Sequence, residues 1–105
     1  MGIPAISFAG KTNPFGEDAA EEGSKVFQSN CATCHGSQGH GDGPASGSLD
    51  PKPKNLALLQ KSAGDDYLFW RITEGKPGTS MVAWKGILDE EQIWQAVSFI
   101  RTLEN

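Results

Sequence analysis

The chain has 105 residues, 37% of them apolar, and a formal net charge of −4. That length implies one domain with a thin apolar core of its own. The acidic balance and the lack of a basic cluster exclude a nucleic-acid binder, and no apolar run nears the ~20 residues that span a bilayer.

Residues 1–16 contain Pro4, Gly10, Pro14 and Gly16 among scattered apolar positions, and are expected to form an extended arm or linker. Ile3, Ile6, Phe8 and Phe15 give that arm something to pack with. A domain over 17–105 follows. Its first helix is predicted from Glu17 to Asn30, with Ala19, Ala20, Gly23, Val26 and Phe27 in one apolar stripe. Four acids near its start suit the helix dipole. Gly23 costs ~1 kcal/mol inside a helix relative to Ala, which points to another helix crossing there.

Cys31-Ala32-Thr33-Cys34-His35 comes next and holds both cysteines of the chain. C-x-x-C-H is the pattern of covalent haem attachment. On a helical turn, residues three apart share a face, so both sulfurs can reach one porphyrin edge with His35 beside it. Three other readings compete. A disulfide would close too short a loop to constrain the chain much. A redox dithiol is expected beside a strand–helix unit, and a zinc site would need His40 as its fourth ligand. Haem outweighs all three, and a flat apolar plate would also supply the core surface that the composition lacks.

Four glycines between Gly36 and Gly43 exclude regular structure there, and the Asp50–Leu56 stretch with Pro51 and Pro53 is expected to be extended. Asp65–Glu74 is predicted as a short helix stopped by Gly75 and Pro77. Its Tyr67–Trp70 run is apolar nearly all round, as expected of a segment held between cofactor and core. In the last helix Asp89 is the N-cap, Gln92 completes a capping box, and Leu88 and Ile93 form a hydrophobic staple. Ile93, Ala96, Val97, Ile100 and Leu103 make its buried stripe, with Phe99 on the flank.

An iron held by one histidine needs a sixth ligand or leaves a site open. Met81 stands in a loop ahead of the last helix, and Met1 is the chain's one other methionine. A thioether suits haem iron, and His/Met ligation raises the reduction potential. Filling a gap in the core is the competing role for Met81. His40 is a rival ligand, but its glycine loop would have to cross the haem, so it is expected at the surface.

Taken together, Gly23 and Phe27, the Cys31–His35 motif with Gly36, the Pro44 loop, Met81 and the final helix resemble class I bacterial cytochromes c, single-haem domains of respiratory chains. The likeness covers about Glu17 to Leu103. It implies an all-α cytochrome c fold, three to five helices wrapped around one covalently attached haem c, with the N- and C-terminal helices crossing. It also implies Cys31 and Cys34 as thioether anchors, and His35 and Met81 as iron ligands. Pro44 would lend its carbonyl to the His35 imidazole, and Trp84 would pack near the haem propionates. Val82 departs from the family pattern, which often has proline directly after the methionine.

The expected function is electron transfer, not enzyme catalysis, with a donor and an acceptor docking on a monomer at the haem edge. Residues 44–85 carry six basic and four acidic side chains, a local +2 against −6 elsewhere, and are expected to rim that edge. Haem attachment of this kind takes place outside the bacterial cytoplasmic membrane. A periplasmic mature chain without its leader is therefore expected, or a haem domain cut from a larger redox enzyme. A haem protein binding small ligands through a labile Met81 is the remaining alternative.

Overall fold

Beyond Gly16 the chain passes through a 3-10 turn, Glu17–Ala19, into α1, Ala20–Asn30. A single non-helical hinge at Cys31 separates α1 from the one-turn α2, Ala32–His35. After the glycine loop and a second 3-10 turn, Ser46–Ser48, come α3 (Leu56–Leu59), α4 (Asp65–Glu74) and α5 (Glu90–Ile100). This computed structural model describes residues 10 and 12–104. The described residues form no strand, and none of their helices is long and apolar enough to cross a membrane.

The frame is the crossing of α1 over α5. Gly23 lies against the Gln95 carbonyl and the Phe99 side chain so closely that a Cβ at residue 23 would overlap the carbonyl. That closeness explains a glycine in mid-helix. One turn on, the fully buried Phe27 ring tilts against Phe99 with centroids 5.0 Å apart. Ile93, Ala96, Val97, Ile100 and Leu103 are buried as their spacing predicts. The start of α5 has both halves of the capping box, with the Asp89 carboxylate accepting from the Gln92 N–H at 2.8 Å and the Gln92 side chain accepting from the Asp89 N–H at 2.9 Å. Such a cap contributes about 1 kcal/mol.

α4 occupies the predicted span, but its apolar run faces another way than expected. Leu68 and Phe69 are buried in the core, where Phe69 stacks on Trp94 at 4.1 Å between centroids. Tyr67 and Trp70 are half-buried and flank Arg71, whose guanidinium lies 4.3 Å from the Trp70 ring centre. The α4 residue that reaches the cleft described below is Ile72. α3 replaces the last part of the stretch expected to be extended. Asn55 caps it by accepting from the Leu58 N–H at 3.1 Å, Leu56 and Ala57 are buried, and Leu58 is half exposed.

Two long-range ties hold the chain's outer segments. Arg101 donates to the Gln60 and Ala63 carbonyls at 2.7 and 2.8 Å. Its Nε stands 3.3 Å from a buried Asp65 oxygen that lacks an aligned hydrogen bond, so that last attraction is ionic. At the other end, Asn13 donates to the Ser98 hydroxyl at 2.8 Å and Phe15 packs on the core. Ile3, Ile6 and Phe8 lie outside the described residues.

Candidate functional site

The C-x-x-C-H segment is helical because α1 almost continues through it. The Cys31 N–H donates to the Phe27 carbonyl at 2.7 Å, and the His35 N–H to the Cys31 carbonyl at 2.9 Å. Gly36 then ends the turn with φ +86°, a backbone shape that side chains rarely adopt. Its successors fold back behind α2, where the Gly43 and Ala45 N–H groups donate to the Cys34 and Thr33 carbonyls at 3.0 and 2.9 Å. Gly43 is buried there, in contact with the α2 backbone, where a Cβ would not fit.

That return path decides where Pro44 lies. It is exposed and borders a shallow depression on the outer side of α2, with Gln28, Thr33 and Asp42. The carbonyl that pairs with the His35 Nδ1, at 3.0 Å, belongs to Lys54. The expected Pro44 pairing is therefore corrected: the glycine loop carries Pro44 past the motif, and the 50–55 segment passes beside the imidazole instead. A backbone carbonyl has no side-chain signature, so sequence gave no means of choosing Lys54 over Pro44.

A cleft opens on the other side of α2. Cys31, Cys34 and His35 line it together with Thr79, Ser80, Met81, Val82 and Trp84. Leu49, Pro51, Pro53 and Ile72 supply further apolar surface, while Asn30, Lys52, Lys54 and Lys76 complete the lining. Five of the six residues singled out from sequence thus meet in one cleft, and Pro44 does not. His40 is outside it, with its Nε2 paired to the Glu104 carbonyl at 3.0 Å. Leu49, Ile72 and the Lys54 carbonyl are the site features that sequence reading missed.

The titratable groups bear on what the cleft can hold. Burial pushes the Cys31 thiol up to about 12, and the neighbouring Cys34 adds to the rise. Cys31 is thus a neutral thiol at physiological pH, a poor thiolate nucleophile or metal ligand. Both thiols are free. Among the described residues no three His, Cys, Asp or Glu side chains converge as a metal cage, which argues against zinc. Burial also lowers the His35 pKa, against a smaller opposing effect of the Lys54 carbonyl, so the imidazole stays neutral and able to ligate.

These residues fit a haem: two thiols on one helical turn, a neutral imidazole and a thioether on the same cleft, and apolar surface for the macrocycle. The lysines suit its acidic propionates.

The family model described as Cytochrome C oxidase, cbb3-type, subunit III matches residues 18–100. The chain is 33% identical over 97 residues to the cbb3-type cytochrome c oxidase subunit FixPc of Rhizobium leguminosarum bv. viciae, a match covering 90% of this chain and 31% of that protein. It is 36% identical over 63 residues to cytochrome c55X of Stutzerimonas stutzeri, covering 60% of this chain and 49% of the other. The chain thus spans less than a third of the length of one of these curated relatives and about half of the other. Among solved structures, part of the Kuenenia stuttgartiensis reducing HAO-like protein complex Kustc0457/Kustc0458 superposes with a TM-score of 0.74 at 35% identity, over 80% of this chain and 42% of that one. The KustC0563 c-type cytochrome gives 0.67 at 26% identity, over 79% of this chain and 98% of the other.

Proposed function

The chain belongs to the cytochrome c domains of the cbb3-type oxidase subunit III family, electron-transfer proteins with covalently bound haem c, and from that premise we propose that Cys31 and Cys34 anchor the haem while His35 and Met81 ligate its iron. The observation that carries this reading is the meeting of all four side chains on one cleft. Bound haem supplies a one-electron ferric–ferrous couple, poised upward by His/Met ligation. The chain's own residues do the rest. The Lys54 carbonyl fixes the His35 Nδ1 as a donor and leaves Nε2 for the metal. Met81, on the same cleft, would supply the second iron ligand and leave no open site for substrate chemistry. Ile72, Leu49 and Trp84 line the cleft and would keep water from a bound haem, which favours the ferrous state, with Trp84 packing near its propionates.

The protein is on this reading a carrier and not an enzyme, acting as a monomer outside the cytoplasmic membrane. Donor and acceptor meet it at the cleft mouth, where Lys52, Lys54 and Lys76 are exposed. A second reading, a haem domain serving a larger redox enzyme, is favoured by one observation: two of the similar proteins are an oxidase subunit and part of an HAO-like complex. Under both readings a redox titration of the haem-loaded chain follows a single one-electron curve, and Met81→Ala moves it to lower potential. A Met81→Ala curve that coincides with the wild type removes Met81 as a ligand. Rapid carbon monoxide binding by the reduced wild-type protein favours small-ligand chemistry instead.

A further inference from the structure

The loop that carries Met81 is closed by backbone bonds. The Lys76 N–H donates to the Met81 carbonyl at 3.0 Å, and the Trp84 and Lys85 N–H groups donate to the Ile72 and Thr73 carbonyls at 3.1 and 3.2 Å. Carbonyls that the end of α4 would leave unpaired are thereby satisfied by the returning chain. Gly75 is the pivot. It has φ +67° and ψ −166°, a region open essentially to glycine alone. A Cβ at residue 75 would stand 2.6 Å from the Ala83 nitrogen, 2.6 Å from the Val82 carbonyl carbon and 2.8 Å from the Met81 oxygen. All three are main-chain atoms, so no side-chain rotation relieves the overlap. Gly78, in the same loop, also has positive φ, +81°, yet nothing lies within 4 Å of where its Cβ would be. The two glycines therefore differ: both turn the chain, but Gly75 alone also admits the 81–83 backbone.

We propose that Gly75 is a positioning residue for Met81, its bare Cα allowing residues 81–83 to lie against the end of α4 and so setting where the thioether stands in the cleft. The inference rests on Met81 being the sixth ligand. A β-carbon at Gly75 forces the 81–83 segment outward, breaks the Lys76–Met81 bond and withdraws the sulfur. The iron then loses its weak neutral donor, and the potential falls.

The test compares Gly75→Ala, Gly78→Ala and Met81→Ala in the haem-loaded full chain, reading the weak far-red band of methionine-ligated ferric haem together with the reduction potential. Gly75→Ala is expected to lose most of that band and to shift in potential towards Met81→Ala, while Gly78→Ala keeps both. If Met81→Ala keeps the band, the ligand assignment falls and the positioning role with it. If Met81→Ala loses the band but Gly75→Ala keeps it, or if Gly75→Ala and Gly78→Ala behave alike, the ligand stands and the role of Gly75 is overturned. Amide hydrogen exchange on the unaltered protein decides the matter even where Gly75→Ala does not fold. Lys76, Trp84 and Lys85 should be protected and open together, and free exchange at Lys76 contradicts the clamp.

Discussion

The His35 Nδ1 stands 3.0 Å from the carbonyl oxygen of Lys54, across nineteen residues of chain. That bond ties the motif to the start of α3, because the next residue, Asn55, is the α3 cap. The orientation of the imidazole thus depends on a side chain that never touches it.

Asn55→Ala should therefore act at two levels. Loss of the cap costs about 1 kcal/mol, read as a lower denaturant midpoint. The loosened Lys54 carbonyl should also change the reduction potential, because partners of a metal-bound histidine tune the metal. Asn55→Asp, which keeps the acceptor, should restore both. A stable Asn55→Ala protein with the wild-type potential contradicts this link.

At the crossing of α1 and α5, Gly23 meets the Gln95 carbonyl with no room for a methyl group. Overpacking of this kind costs about 1–3 kcal/mol, and rigid main chain on the receiving side puts Gly23→Ala at the upper end. Equilibrium unfolding of the haem-loaded variant checks this. A loss below about 0.5 kcal/mol, the scale of ordinary surface changes, would show that the helices separate freely.

Acid should destabilise the protein in a definite direction. Burial lowers the His35 pKa below its ordinary 6.5, so the unfolded chain binds this proton more readily than the folded one. Stability from this group is complete above 6.5 and is lost as pH falls below it, by up to about 1.4 kcal/mol per pH unit for one proton. Iron coordination, which needs the neutral ring, works in the same direction. Denaturation midpoints measured from pH 7.5 to 5.5 should fall, and a rise on acidification contradicts the burial argument.

The charge around the cleft predicts a reversal of sign. With a formal net charge of −4, the whole protein would repel ferricyanide, and added salt would speed its reaction. Lys52, Lys54 and Lys76 at the cleft make the local field positive, so salt should slow it instead. Lys76→Glu should weaken or abolish that dependence. Stopped-flow oxidation across a range of ionic strength distinguishes the two outcomes.

Local signals carried most of the fold. The cap at Asp89, the acids opening α4 and the glycine closing it act within a few residues, and both helices formed where those signals lie. Gly23 was legible because a mid-helix glycine is costly enough to need a reason. α3 was obscured by Pro51 and Pro53, although Asn55, two residues after Pro53, is a helix-start signal. In the site, side-chain chemistry singled out Cys31, Cys34, His35 and Met81 and the family resemblance Trp84, all of which line the cleft, whereas the partner of His35 and the burial of Trp94 on Phe69 depend on chain path. The path is set by how tightly Gly43 and its neighbours pack behind α2, and spacing alone does not encode that.

On the reading proposed above, the cleft holds haem c for electron transfer, with His35 and Met81 as the iron ligands. Absorption spectra of the purified protein in both oxidation states test it most directly. Six-coordinate haem c bands are expected in each state, with the weak far-red band of methionine–iron ligation in the ferric protein. Haem bands without the far-red feature would contradict Met81, and a spectrum without haem would contradict the whole assignment.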